Sequence, residues 1–330
     1  MNLRPNFHRF DLQEAIRIQP FPDPIPLGGL DTGIWVANER LLPDKFTAAA
    51  NVVPISPVDN RGGVYLYIGD GTLSPLTVGN TIAHEALFPL TWRRFLAGPT
   101  VDLESVTFSP ILLDSARESS LPISLNVYRL KNDSNAQRKF GLLQTLSYST
   151  GDANIPATFD LQHDRLALTG FLGVADNERR VGLSTPDFHS YGKVTQGIEP
   201  LAWPGDVDEV LEEFAATGEL EPRVAGQGST GLAAWVSVVL DPQEEFEIPI
   251  SYVWHDPVRP DGTLRAYTGH LGRTRADNAV VWVAEQAYED FGTEAATYRF
   301  WMQRIHDQHE SQIAAGLTVD EINSASKAIF

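Results

Sequence analysis

Apolar residues occupy every second position along Leu121-Pro122-Ile123-Ser124-Leu125-Asn126-Val127, the period at which a strand turns its side chains to a single face. A second β-type run, Val106 to Leu113, precedes it across the polar loop Asp114 to Ser120. A third, Gly141 to Tyr148, follows the turn residues Lys131-Asn132-Asp133-Ser134-Asn135. The pattern predicts antiparallel strands with one face on a core and the other toward water or a partner. Similar runs occur at 64–68 and 77–82, separated by the hairpin signal Gly69-Asp70-Gly71, and again at 154–175 and 180–183. Leu232 to Val239 is continuously apolar, and Phe246, Ile248, Ile250, Tyr252 and Trp254 alternate beyond the turn Asp241 to Glu244. Gly197 to Gly205 reads as a loop from its glycines and prolines.

The period changes in two places. Val207, Val210, Leu211 and Phe214 recur at helical spacing and predict a short helix ending near Gly218. From Asn278, the spacing of Ala279, Val280, Val283, Ala284, Ala287 and Tyr288 predicts a helix stopping by Gly292, and a second spans Glu294 to Glu310. Thr318-Val319-Asp320-Glu321 has the form of a capping box, and the helix it opens carries the apolar stripe Ile322, Ala325, Ile329 and Phe330. No stop signal follows, so that helix is expected to be cut short, its stripe docking on a partner, and removal of 318–330 is expected to improve solubility. The organisation expected is a proline-rich lead-in over 1–23, a β-sandwich over 24–268, and a helical connector over 269–330 that ends mid-helix.

Composition removes several function classes. The 330 residues are 42% hydrophobic and 21% charged, a soluble globular balance that can bury a sizeable core. With 25 Lys and Arg against 43 Asp and Glu, the net charge is -18, so nucleic acid and anionic membrane surfaces are not expected partners. The absence of cysteine excludes disulfides and thiolate chemistry and fits a reducing compartment. The first twenty residues lack the apolar core of a signal peptide, and no run is long enough to span a bilayer. A cytoplasmic location is therefore expected.

Candidate chemistry is sparse. Glu212-Glu213 and Glu244-Glu245 read as solvated faces, since carboxylate pairs matter for glycoside hydrolysis only at a defined separation in space. His306 and His309 stand at i, i+3 without a third ligand set and read as a wet helix end, so no metal site is expected. Asp187, His189 and Ser190 are adjacent in sequence, whereas a nucleophilic triad is recognised by geometry. Of the tryptophans, Trp35, Trp235, Trp254 and Trp282 fall on strand or helix patterns and read as core. Trp203, in Ala202-Trp203-Pro204-Gly205, is the candidate for stacking on a sugar. No cofactor is expected.

The order of motifs resembles the N-terminal domain of glycoside hydrolase family 116, the family of bile-acid β-glucosidase or non-lysosomal glucosylceramidase. Phe108-Ser109-Pro110, Ser119-Ser120-Leu121-Pro122, the Asn132 turn, Leu240-Asp241-Pro242-Gln243-Glu244 and Trp254-His255-Asp256-Pro257 carry the likeness, which extends from about Pro24 onward. Three positions depart from the family pattern: Asp31 and Gln243 stand where it has glycine, and Leu211 where it has tryptophan. Ala328-Ile329-Phe330 is similar to the start of the family's first barrel helix. The resemblance implies a large antiparallel β-sandwich followed by helices that would lead into an (α/α)6 barrel, with the catalytic Glu and Asp in that barrel, beyond this chain. It implies a non-catalytic domain that packs on and supports a retaining β-glucosidase or glucosylceramidase catalytic domain, in cis or as a separate chain. The alternative is a stand-alone carbohydrate-binding or scaffold module, or the non-catalytic subunit of a split glycosidase, with a glycoside as ligand.

Overall fold

The computed structural model describes residues 26–27, 30, 36–37, 63–76, 80–147, 157–174, 177–202, 205–225, 229–259, 262–271 and 276–329. The short strands β1 (Pro26–Leu27) and β2 (Val36–Ala37) pair with each other. They are followed by β3 (Val64–Ile68), β4 (Thr72–Pro75), β5 (Thr81–Leu87), β6 (Leu90–Phe95) and β7 (Val101–Phe108). After the one-turn helix α1 (Ala116–Ser119) come β8 (Ile123–Asn132), β9 (Arg138–Ser147), β10 (Ala157–His163), β11 (Ala167–Val174), β12 (Asn177–Pro186) and β13 (Val194–Leu201). Helix α2 (Val207–Thr217) precedes β14 (Gly231–Leu240) and β15 (Glu245–His255), and the chain continues as α3 (Thr268–Leu271), α4 (Ala276–Tyr288), α5 (Thr297–Ala314) and α6 (Val319–Ile329).

Two antiparallel sheets face each other. One has eight strands in the order β10-β11-β12-β15-β8-β7-β6-β5, the other five in the order β13-β14-β9-β3-β4. Leu66, Leu142 and Val236 of the smaller sheet meet Leu103, Leu130 and Ile250 of the larger in the central core. Each sheet is also covered outside. Val207, Val210 and Phe214 of α2 pack on Tyr67, Leu143 and Trp235 of the smaller sheet. Val280, Val283 and Ala287 of α4, with Trp301 of α5, pack on Ile123, Leu125, Val127 and Phe171 of the larger. Removing one such side chain from water is worth about 1.5–3 kcal/mol, which explains why the helical spacing was visible in the sequence.

This layering corrects the expectation for β8. Its polar positions do not meet water: Ser124 and Asn126 are buried between the sheets, and the Asn126 amide reaches Gln144 Oε1 at 3.4 Å across the sandwich. The apolar face of β8 is instead taken by α4 and α5, so alternation marked two different buried environments. Two further expectations change. The partner of β3 across the Gly69-Asp70-Gly71 turn is Thr72–Pro75. Most of the expected loop from Gly197 is strand β13, where Gly197 lets the sheet lie against Trp235: a Cβ there would come within 2.6 Å of the indole nitrogen.

The turn residues around Asn132 join the two sheets, because β8 and β9 lie in different ones. Asn132 is buried, and its amide donates to the carbonyls of Ala136 (2.8 Å), Leu240 (3.0 Å) and Asp241 (3.2 Å). It thus clasps the β8–β9 crossing to the neighbouring β14–β15 crossing. The latter holds Gln243 at φ 63, with its amide on Asn132 O at 2.7 Å. That left-handed conformation strains any residue with a Cβ, a physical reason for the glycine in the family pattern. Gln243→Gly is expected to raise stability by about 0.5–1 kcal/mol in urea unfolding.

The serines of the other motifs act similarly. Ser109 donates to Ile123 O at 2.8 Å, and Ser119 Oγ accepts from Leu112 N (2.7 Å) while donating to Leu112 O (2.8 Å). They fold the Phe-Ser-Pro corner onto the start of β8. Of the glycine-rich run 28–33, only Leu30 is described; its amide donates to Ser119 O at 2.6 Å.

Candidate domain-docking surface

The helical layer is held to the sandwich by buried polar groups as well as by Trp301. Glu247 lies on β15 with no exposed surface, facing α5. The Tyr298 hydroxyl donates to Glu247 Oε1, and the Arg299 guanidinium reaches the same oxygen through Nε and Nη2, both at 3.2 Å. Burial pushes the Glu247 carboxyl above its ordinary value, while the Arg299 charge and the Tyr298 hydroxyl pull it back. Tyr288 of α4 bonds Ser184 O (2.9 Å) and Ser251 Oγ (2.8 Å) on β12 and β15. The segment before α3 is tied by Asp256, whose carboxylate accepts from Arg179 (2.8 Å) and Arg265 (3.1 Å), while its amide donates to Tyr267 (2.8 Å).

A second seam joins α5 and α6 to the β5–β6 turn, which contains the cis peptide Phe88-Pro89. His309 of α5, fully buried, is 2.8 Å from Phe88 O through Nε2. Asn323 of α6 accepts from Phe88 N at 2.8 Å and donates to Ala86 O at 3.2 Å. The capping box forms as read: Thr318 N donates to Glu321 Oε2 at 2.8 Å and Glu321 N to Thr318 Oγ1 at 3.3 Å. Ile322 is 2% exposed, within this chain's own fold. The side chains of Ala325, Ile329 and Phe330 lie outside the described residues. With Ile322 and Asn323 both buried, removal of 318–330 now carries a stability cost that the sequence did not disclose.

Burial of His309 gives this seam a pH dependence. Desolvation, opposed by the Phe88 carbonyl, lowers its pKa from 6.5 to about 4. The folded imidazole is therefore neutral, and as pH falls the unfolded chain takes up the proton first. The stability is fully present above about pH 6.5 and is lost as pH falls toward about 4, in total about 3 kcal/mol. Urea unfolding of the native chain and His309→Gln across this range is expected to show a shallower loss in the variant.

The remaining sequence candidates separate. Trp203 and Trp35 lie outside the described residues, whereas Trp235 and Trp254 are buried and Trp282 is partly buried beneath Arg117. Glu244 pairs with Lys193 (3.1 Å) and Glu213 with Arg223 (2.8 Å). The His306–His309 pair does not converge: His306 approaches Asp307 and Glu310 at 3.8 and 3.7 Å, while His309 turns into the core instead of the wet helix end expected. Asp187 and His189 do meet, at 2.8 Å, and His163 joins them at 3.4 Å. Glu247, Arg299 and Asn323 were not singled out in the sequence, and Asp256 only as part of the Trp254–Pro257 motif; the one signal for the first was an acid at an alternating position of a strongly apolar strand.

Apolar groups stand in water on α5 and on the β7–α1 loop bonded to it. Leu113 is 76% and Phe300 56% exposed. They flank Arg304, which lies 5.5 Å over the Phe300 ring and pairs with Asp114, while Gln308 accepts from Leu113 N at 2.9 Å. Among the described residues no helix is long and apolar enough to cross a membrane.

Residues 69–293 match the family model described as beta-glucosidase 2, glycosyl-hydrolase family 116 N-term. No curated protein matches the chain. Similar solved structures include a bacterial glucoamylase complexed with acarbose (9% identity, TM-score 0.39, 79% of this chain and 34% of that one). Another is a polysaccharide lyase (11%, TM-score 0.38, 74% and 32%). A third is the family GH92 alpha-mannosidase BT3965 of Bacteroides thetaiotaomicron (10%, TM-score 0.26, 68% and 28%). The chain spans about a third of the length of the solved structures it matches.

Proposed function

The chain belongs to the N-terminal family of glycosyl hydrolase family 116, and we infer from this that it serves as the non-catalytic domain supporting a β-glucosidase or glucosylceramidase catalytic domain absent from these 330 residues. The observation that carries this is the construction of the helical layer. Its inner side is fixed to the sandwich by Glu247, Tyr298, Arg299 and Asn323, while Phe300 of α5 and Leu113 of the adjoining β7–α1 loop stand in water near Arg304. An apolar pair around an arginine suits docking by a folded domain better than a solvent face. The partner is a helical glycosidase domain, in cis or as a separate chain, and α5 presents the surface to it.

The chain alone is expected to show no turnover of an aryl β-glucoside. Turnover that disappears on substitution of any Asp or Glu in it would defeat the assignment. Docking is tested by co-expression with a family 116 catalytic domain as a separate chain. Native protein is expected to co-purify with it and Phe300→Asp to lose it. Equal recovery of both would remove α5 from the interface.

A further inference from the structure

Outside the helical layer, two imidazoles and a carboxylate converge at one corner of the sandwich. His163 ends β10, an edge strand of the larger sheet, and Asp187 and His189 follow β12. Asp187 Oδ1 lies 2.8 Å from His189 Nδ1 and 3.4 Å from His163 Nε2, and all three ligand atoms fall within 4.8 Å of one another. The two rings are 4.5 Å apart, tilted by 34°.

We propose that His163, Asp187 and His189 form a divalent transition-metal site of zinc type, with its remaining coordination position open to solvent. Three observations support it. First, with bonds of 2.0–2.1 Å, two donors on a tetrahedral zinc stand about 3.3 Å apart, and the two separations at Asp187 bracket that value. Second, the donor set of two imidazoles and one carboxylate suits zinc and its neighbours in the first transition row and does not suit calcium or magnesium, which take oxygen. Third, the backbone is set in advance. Asp187 N bonds Leu166 O (3.1 Å) in the β10–β11 turn, which brings Asp187 beside His163. Asp187 Oδ1 also accepts His189 N (2.9 Å), and Phe188, between the two ligands, is buried 5.2 Å from Phe291. The ligands therefore stand on an anchored segment, although His163 and His189 themselves are exposed. The acidic chain as a whole also attracts cations.

Zinc titrated calorimetrically into the chelator-treated full chain near neutral pH is expected to fill one site made by these residues. His163→Ala and His189→Ala should each weaken it at least about tenfold, the loss typical of disturbing even the outer partners of a metal ligand. His306→Ala, in the second surface group of His306, Asp307 and Glu310, should leave it unchanged. Cobalt in place of zinc is expected to give the strong visible absorption of a tetrahedral centre, lost in both ligand variants. All three variants alter side chains with some solvent contact, and far-UV circular dichroism verifies their folding. No binding at millimolar zinc overturns the proposal, and so does a site of undiminished affinity in either ligand variant.

Discussion

Arg299→Ala is expected to destabilise the chain by about 3–5 kcal/mol, because Glu247, with no exposed surface, loses its bonded cation and keeps only the weaker attraction of Arg129 across the strand pair. A neutral carboxyl could survive there, bonded to Tyr298. Its pKa, already raised by burial with Arg299 opposing, would rise further once that charge is gone. Because a raised carboxyl pKa favours folding only while the proton is on, the contribution of Glu247 to the variant's stability should be greatest below the ordinary value of 4.5 and be lost as pH rises through the shifted one, while the opposite dependence from His309 is common to variant and native chain. The double variant Glu247→Gln, Arg299→Met removes both charges and should recover a large part of the loss. Urea unfolding of the single and double variants checks this; a cost below about 1 kcal/mol for Arg299→Ala would mean that the pair is solvated.

Trp301→Ala is expected to cost a similar amount, about 3–5 kcal/mol, for a different reason. Trp301 is 2% exposed and sits with Val283 and Ala287 of α4 over the face of β8. Truncation leaves a cavity that helices fixed by hydrogen bonds at both seams cannot close. Phe300, the neighbouring residue and 56% exposed, provides the contrast: Phe300→Ala should stay within about 0.5 kcal/mol in the isolated chain. Comparable losses from both variants would place Phe300 inside the fold and remove it from the docking surface. If the helices unfold before the sandwich, the Trp301→Ala loss will appear as an earlier first transition in far-UV circular dichroism.

What could be read in the sequence followed periodicity. The strands β8, β14 and β15 and helices α2 and α4 each bury an apolar set, and Thr318 and Glu321 at the start of α6 sit close enough in sequence to announce their own hydrogen bonds. β13 escaped because Gly197 and Pro200 mimic a loop, although the glycine is there to admit the Trp235 ring. Membership of two sheets was equally invisible: strands flanking a turn pair by default, and only Asn132, bonded to carbonyls 108 and 109 residues away, shows that this turn joins two layers. The same holds for Glu247 and Arg299, 52 residues apart, and for His163, which Asp187 and His189 meet only once β11 and β12 are in register. Local rules register contacts within a few residues, and these sites are made by contacts across dozens.

The strand order of the larger sheet also sets a schedule for biosynthesis. β5 to β8 pair in succession, as do β10 to β12, so each group can form soon after it leaves the ribosome. β15 alone joins them, pairing with β8 on one side and β12 on the other. It emerges over a hundred residues after β8, which at about 5–20 residues per second is an interval of roughly 5–20 s. During it the edge of β8, and for about the second half that of β12 as well, is unpaired and open to other nascent chains. Molecular chaperones would find their substrate in that interval, and codons that slow translation between β12 and β15 would prolong the exposure.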